Sequence, residues 1–248
     1  TQQVINTAHQ AYDDFGRQAG DWIAANPGGS VTTAMAAFSR GDASMVIFAQ
    51  LLNEKGLIDP RNGAVLIPPG QVPIAAMAFV EPVYSGVTVE LSIPSNVNPN
   101  NILVVGALDE FRTLFKLGDY DLDPRVQLRP LFGNHCDIGG CYNDQGLGAL
   151  ALEGLTQFFR NVNLPIGDVP ADRQFNANGL ASIHTEAVDS FGNRLWDEYG
   201  YRVVDSTSSN RLTTVIDPPT LPWNTTNGFI ADANYHDLSA ISEATGVS

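Results

Sequence analysis

A helix, a short apolar strand, a tight turn and a second helix follow one another across residues 2–56, and that order leaves few folds open. Val4, Ala8, Tyr12, Phe15, Ala19 and Ile23 recur at helical spacing over residues 2–25, and Asn26-Pro27-Gly28-Gly29 ends the pattern. Residues 30–38 are small, β-branched and apolar on both faces, as a strand inside a parallel sheet must be. Helical spacing returns over 42–56, with Met45, Phe48, Ala49 and Leu52 on one face and Gly56 just past the end. Alternation of this kind is the local unit of an α/β fold.

Downstream, Ala64–Ile67, Ile74–Val80, Val87–Ile93 and Ile102–Leu108 read as strands between Pro, Gly and Asn turns, and residues 146–160 as a helix. After residue 205, Ser, Thr, Asn and Pro dominate, and Pro218-Pro219 with Pro222 predicts an irregular tail wrapping the surface. The chain of 248 residues is long enough for one large core. The expected division is a partial catalytic domain over 1–205 and an irregular extension over 206–248 packed on it.

The formal charge of −14 repels phosphate backbones and anionic headgroups alike, so nucleic acid is an unsuitable partner. No apolar run approaches the ~18 residues that cross a bilayer. A signal peptide is not visible and no initiator Met is present, which reads as a processed or trimmed piece. Cys136 and Cys141 are too few for a four-ligand zinc cluster; a small disulfide over Gly139-Gly140 and a pair of free thiols both remain open. Neither calcium-loop spacing nor a helical His pair occurs, so no metal or other cofactor is assigned.

The chemistry concentrates at Ala37-Phe38-Ser39-Arg40-Gly41, between the strand and the second helix. A strand that ends in a sharp turn leaves the serine exposed, with the following backbone amides aimed where an oxyanion develops. Serine is also a good helix N-cap, and the five residues alone do not separate the two roles. With the strand before and the apolar helix after, Ser39 is expected as the nucleophile and the Arg40 amide as an oxyanion donor.

Four segments resemble, in order, motifs of the α/β-hydrolase family that includes type VI secretion phospholipase effectors. Ala37-Phe38-Ser39-Arg40-Gly41 is similar to its Gly-Phe-Ser-Arg-Gly elbow. Ala78-Phe79-Val80-Glu81-Pro82-Val83 resembles its Phe-Asp-Pro-Val strand end. Ala107-Leu108-Asp109-Glu110-Phe111-Arg112 with Phe115 is similar to its Ala-Leu-Asp-Glu-x-Arg-x-x-Phe segment. Phe132-Gly133-Asn134-His135-Cys136-Asp137-Ile138-Gly139-Gly140-Cys141-Tyr142 resembles its Phe-x-Gly-x-His-x-Asp-Val-Gly-Gly-Gly-Tyr motif. The resemblance spans roughly residues 30–160 and implies a Ser–acid–His triad acting on carboxylic esters, often phospholipids, in a secreted or exported effector. Ala37 and Glu81 depart from the family's Gly and Asp.

For the acid, chain position favours Asp109, which follows an apolar strand and precedes His135, whereas the resemblance favours Glu81. For the histidine, the motif favours His135. His184 is the alternative, and His9 and His236 read as surface residues. Asp137 reads as an Asx turn with Ile138-Gly139.

The expectation is therefore an α/β-hydrolase-like, mostly parallel sheet with flanking helices, its early strands absent from this chain, and a serine esterase or lipase chemistry on an ester or lipid substrate. An upstream polypeptide segment or a second chain is expected to complete the sheet beside residues 30–38. The alternative is a catalytically inactive module of the same fold that binds a partner or lipid.

Overall fold

The computed structural model describes the backbone of residues 1–176 except 119, 144 and 145, then 180–186, 189–196, 200–204, 212–216, 225–226 and 229–237. Side chains are described to residue 176 and at 183, 184, 186 and 189–196.

Helix α1 (Gln2–Ala25) buries Val4, Ala8, Tyr12 and Ala19 along one stripe, as its spacing predicts. It leads to strand β1 (Thr33–Phe38) and helix α2 (Gly41–Lys55). The two helices are tied at both ends: the Ser44 hydroxyl donates to the Val4 carbonyl (3.0 Å) and the Tyr12 hydroxyl to the Gly56 carbonyl (2.7 Å). A hairpin of β2 (Leu57–Asp59) and β3 (Ala64–Ile67) follows, then β4 (Ile74–Val80), β5 (Ile102–Ala107) and β6 (Val126–Leu131). Strands β1, β4, β5 and β6 form a four-stranded, all-parallel sheet in the order β1-β4-β5-β6.

Alternate residues of β4 and β5 feed two cores, because successive side chains leave opposite faces of a strand. Met77, Phe79 and Val104 pack with α1 and α2; Val80, Leu103 and Val105 pack beneath the helix formed later by Gly146–Asn161. The sheet is thus covered on both sides, the arrangement a parallel sheet requires. The chain is an α/β fold with helices flanking a parallel sheet.

Helix α3 (His135–Ile138) is one turn long, and α4 (Gly146–Asn161) covers the second face with Leu147, Leu150 and Ala151 inward. Beyond it come β7 (Leu180–Glu186), β8 (Gly200–Val204), β9 (Leu212–Ile216), β10 (Thr225–Thr226) and β11 (Phe229–Asp237). β8 pairs with β9, and β11 joins β7 to β10, all antiparallel.

Three of the differences from the sequence reading have a local physical reason. Val87–Ile93 forms no strand. Its carbonyls are taken by side chains instead of a ladder: Gln50 donates to Glu90 and Ser92, Tyr120 to Leu91, and Arg125 to Ile93. Alternating hydrophobicity cannot distinguish a ladder from such side-chain partners. Past residue 205, β9 and β11 stand where irregular chain was expected. Thr213-Thr214-Val215-Ile216, after Leu212, is a β-branched run that lies clear of the prolines, whose own positions fall outside the described residues. The third feature is β6, which the reading did not include. Its Pro130 breaks a strand pattern, yet an edge strand tolerates proline.

Strand β1 occupies the other edge of the sheet, and among the described residues no strand pairs with its outer side. Among the same residues, no helix is long and apolar enough to cross a membrane.

Candidate active site

The four parallel strands end together, and the residues that follow their carboxyl ends converge there, the usual place for a site in an open α/β sheet. Ser39 follows β1 directly and adopts φ 60°, a left-handed conformation uncommon for a residue with a Cβ. Its amide donates to the Val80 carbonyl (2.9 Å), and its own carbonyl accepts from the Asp42 amide (3.2 Å). The tight turn between strand and helix forces that φ, and backbone strain held by surrounding bonds is a mark of functional turns. A Cβ built on Gly41 would stand 3.7 Å from the Ala37 Cβ, ordinary van der Waals contact, so alanine fits at position 37.

Glu81 follows β4 and also has positive φ, 46°. It is fully buried, at 0% exposure. One carboxylate oxygen, Oε1, accepts the Ala107 amide at 2.6 Å, and the other, Oε2, lies 3.2 Å from His135 Nδ1. His135 Nε2 lies 2.9 Å from Ser39 Oγ. With the carboxylate as acceptor, Nδ1 carries the proton and Nε2 is left to accept from the serine hydroxyl. The three side chains thus form one hydrogen-bonded line across 96 residues of sequence.

His135 stands at the first position of α3, held by a capping box in which Asn134 and Asp137 exchange bonds with each other's backbone amides. Its ring lies between Phe38 (centroids 4.6 Å apart) and the edge of Phe115 (4.9 Å). Gly139 lets this happen: a Cβ there would come within 2.2 Å of the Phe38 ring.

The segment after β5 supports the histidine from below. Asp109 Oδ2 accepts the Gly133 amide (2.7 Å) and Glu110 Oε2 the His135 amide (3.3 Å). Arg112 grips Glu110 with two side-chain nitrogens, pairs with Glu186 and lies 3.5 Å over the Phe115 ring. Asp109, the rival acid in the sequence reading, therefore faces the backbone of the histidine loop while Glu81 meets the ring.

His184 lies elsewhere. Its Nδ1 is 2.6 Å from Asp137 Oδ1, and its ring stacks on Tyr142 at 4.0 Å. Asp137 is thereby both a cap and the partner of His184, a larger role than the Asx turn read from sequence. His9 is exposed on α1; His236 lies in β11, where side chains are not described. The Arg40 amide begins the first turn of α2, whose leading N–H groups lack helical acceptors.

Asp42 has no counterpart in the sequence reading. It sits three residues past Ser39 and is 0% exposed, and among the described residues neither carboxylate oxygen has a hydrogen-bond partner; the nearby Val80 amide offsets only part of the burial. Burial, with Glu81 nearby, holds its carboxyl well above the usual carboxylate range. No periodicity could reveal it, because Asp in the first turn of a helix ordinarily serves the dipole at the surface.

Beside β1, a cleft of about 400 Å³ is lined by Ala36, Phe38, Val80, Ile138, Leu152 and Leu155. Among the described residues no three His, Cys, Asp or Glu side chains are grouped to hold a metal ion.

No protein-family model matches the chain, and no curated protein does. Among solved structures it is similar to the Tle1 effector bound to the VgrG spike of the Type 6 secretion system, with 20% identity and a TM-score of 0.44, over 58% of this chain and 32% of that one. It is also similar to an uncharacterized protein from Pseudomonas aeruginosa, with 13% identity and a TM-score of 0.38, over 66% of this chain and 28% of that one. The chain spans about a third of the length of the structures it matches, 32% and 28%.

Proposed function

We propose that the chain is a serine carboxylic-ester hydrolase of the esterase or lipase kind. The observation that carries this reading is the line Ser39 Oγ–His135 Nε2 (2.9 Å) and His135 Nδ1–Glu81 Oε2 (3.2 Å) at the carboxyl ends of a parallel sheet. His135 removes the Ser39 proton as the hydroxyl attacks an ester carbonyl, and Glu81 stabilises the imidazolium that forms. The Arg40 amide at the start of α2 donates to the developing oxyanion. The imidazolium then protonates the leaving alcohol. Water, deprotonated by His135, releases the acid from the acyl-enzyme.

The apolar cleft beside Phe38 and Val80 suits an acyl chain, which supports lipid esters over small polar ones. The four motif resemblances support a phospholipid substrate and an exported effector role. In this reading residues 1–205 are the catalytic domain and 206–248 an extension attached to it through β11 and β7. The outer edge of β1 is where an upstream segment or a second chain would add a strand.

Hydrolysis of p-nitrophenyl esters of increasing chain length tests the proposal. Turnover that rises with acyl length and disappears in Ser39→Ala is the expected result. Absence of turnover in the unmodified chain, or retention in Ser39→Ala, refutes the esterase and favours the binding module.

A further inference from the structure

Helix α3 ends directly before a pair of glycines and a cysteine. Gly139 is right-handed (φ −74°, ψ −7°) and Gly140 left-handed (φ +69°), a conformation glycine adopts without strain. The Gly140 amide donates to the Asp137 carbonyl (3.3 Å) and the Cys141 amide to the Cys136 carbonyl (2.9 Å). These two bonds define a Schellman ending, in which the third-last helical residue and the second residue past the C-cap Gly139 bring their side chains together. An apolar contact ordinarily fills that position. Here it is filled by Cys136 and Cys141, both free thiols.

We propose that Cys136 and Cys141 are a redox site, a dithiol that closes to an intraloop disulfide and staples the turn carrying His135. The helix ending already sets the pairing that a disulfide needs, so closure requires side-chain rotation and no refolding of the backbone. Flanking bonds pass the constraint on. Cys136 adjoins His135, and Cys141 adjoins Tyr142, whose hydroxyl accepts from Asn134 Nδ2 (2.9 Å) and donates to Glu186 (2.9 Å). The cross-link therefore joins the two ends of a loop already tied by the Cys141–Cys136 backbone bond and the Asn134–Tyr142 bond.

The co-reactant is a low-molecular-weight disulfide such as oxidised glutathione. The exposed Cys141 thiolate attacks one of its sulfurs, that S–S bond breaks, and one glutathione thiol leaves. Cys136 then gives its proton to solvent and attacks the Cys141 sulfur of the mixed disulfide, expelling the second glutathione thiol. Two protein thiols are oxidised and one glutathione disulfide is reduced to two thiols. Burial first, and then the neighbouring Cys141, push the half-buried Cys136 thiol up to about 12, so the second step is the slow one and quickens as pH rises.

This site stands whether or not Ser39 is a nucleophile, and its test does not read activity. The full chain is incubated with excess oxidised glutathione, then subjected to intact mass measurement, thiol titration and amide hydrogen exchange over residues 134–142. The expected result is a monomer that has lost two hydrogens and both titratable thiols, with exchange across the loop slowed about tenfold or more and restored by dithiothreitol. Cys141→Ser and, separately, Cys136→Ser abolish that slowing. The idea is overturned by two persistent thiols, by a stable mixed disulfide on Cys141 without closure, by a Cys141-linked dimer, or by closure that leaves loop exchange unchanged.

Discussion

Replacing Glu81 with Gln changes one atom of a fully buried side chain, and the surrounding bonds dictate how the site responds. The Ala107 amide stands 2.6 Å from Oε1 and must meet an oxygen, because an amide NH₂ there would oppose donor to donor. The glutamine oxygen is therefore committed to Ala107, and its NH₂ faces His135 Nδ1. That nitrogen then becomes the acceptor and the ring proton moves to Nε2, where it points at Ser39 Oγ. In the proposed mechanism serine then loses its base while the geometry is preserved. Wrong-tautomer substitution of a triad carboxylate costs about 10⁴-fold in kcat in the serine-protease template. We expect kcat/KM on an activated ester to fall about 10³- to 10⁴-fold, roughly 4–5.5 kcal/mol of transition-state stabilisation. Steady-state kinetics reads the loss, with circular dichroism and the melting temperature as controls for the fold. A fall smaller than about tenfold, less than about 1.4 kcal/mol, in a folded variant would refute the tautomer argument.

Asp109→Asn keeps an oxygen for the Gly133 amide and should lower kcat/KM by less than about tenfold; a loss matching that of Glu81→Gln would move Asp109 into the triad. Asp42→Ala should stabilise the fold by roughly 1–2 kcal/mol at neutral pH, because it removes a buried carboxyl that has no hydrogen-bond partner among the described residues. That gain corresponds to a melting temperature higher by about 2–8 °C. The sign comes from the raised carboxyl: the folded chain holds a proton that the unfolded chain releases, so the native protein loses stability as pH rises above the ordinary carboxylate value. The gain in melting temperature from the substitution should therefore be larger at about pH 7 than at about pH 4; an unchanged or lower melting temperature at neutral pH would contradict the reasoning.

Local patterns were legible in this sequence and distant ones were not. The stripe Val4, Ala8, Tyr12 and Ala19 specifies α1, and the apolar run Ile74–Val80 specifies β4, because each pattern is complete within its own element. The turn at Ser39 could be read because its strand and its helix are adjacent in sequence. Partners beyond that range were open. Glu81 and Asp109 both follow apolar strands, and only the three-dimensional order of β4 and β5 decides which carboxylate faces the ring and which holds the loop. The His184–Asp137 pair joins residues 47 apart, and Asp42 is buried by packing that no residue near it announces. Val87–Ile93 misled for the converse reason: its alternation is real, but Gln50, Tyr120 and Arg125 consume the carbonyls that a strand partner would need.

The proposed chemistry stands or falls on Ser39 being a nucleophile activated by His135. An alkyl fluorophosphonate, followed by digestion and peptide mass mapping, probes this directly, since the phosphorus is attacked only by an activated hydroxyl. We expect a single adduct on Ser39, formed rapidly in the parent chain and lost in folded His135→Ala. An inert protein, an adduct on another serine, or equal labelling of Ser39 in His135→Ala would contradict it.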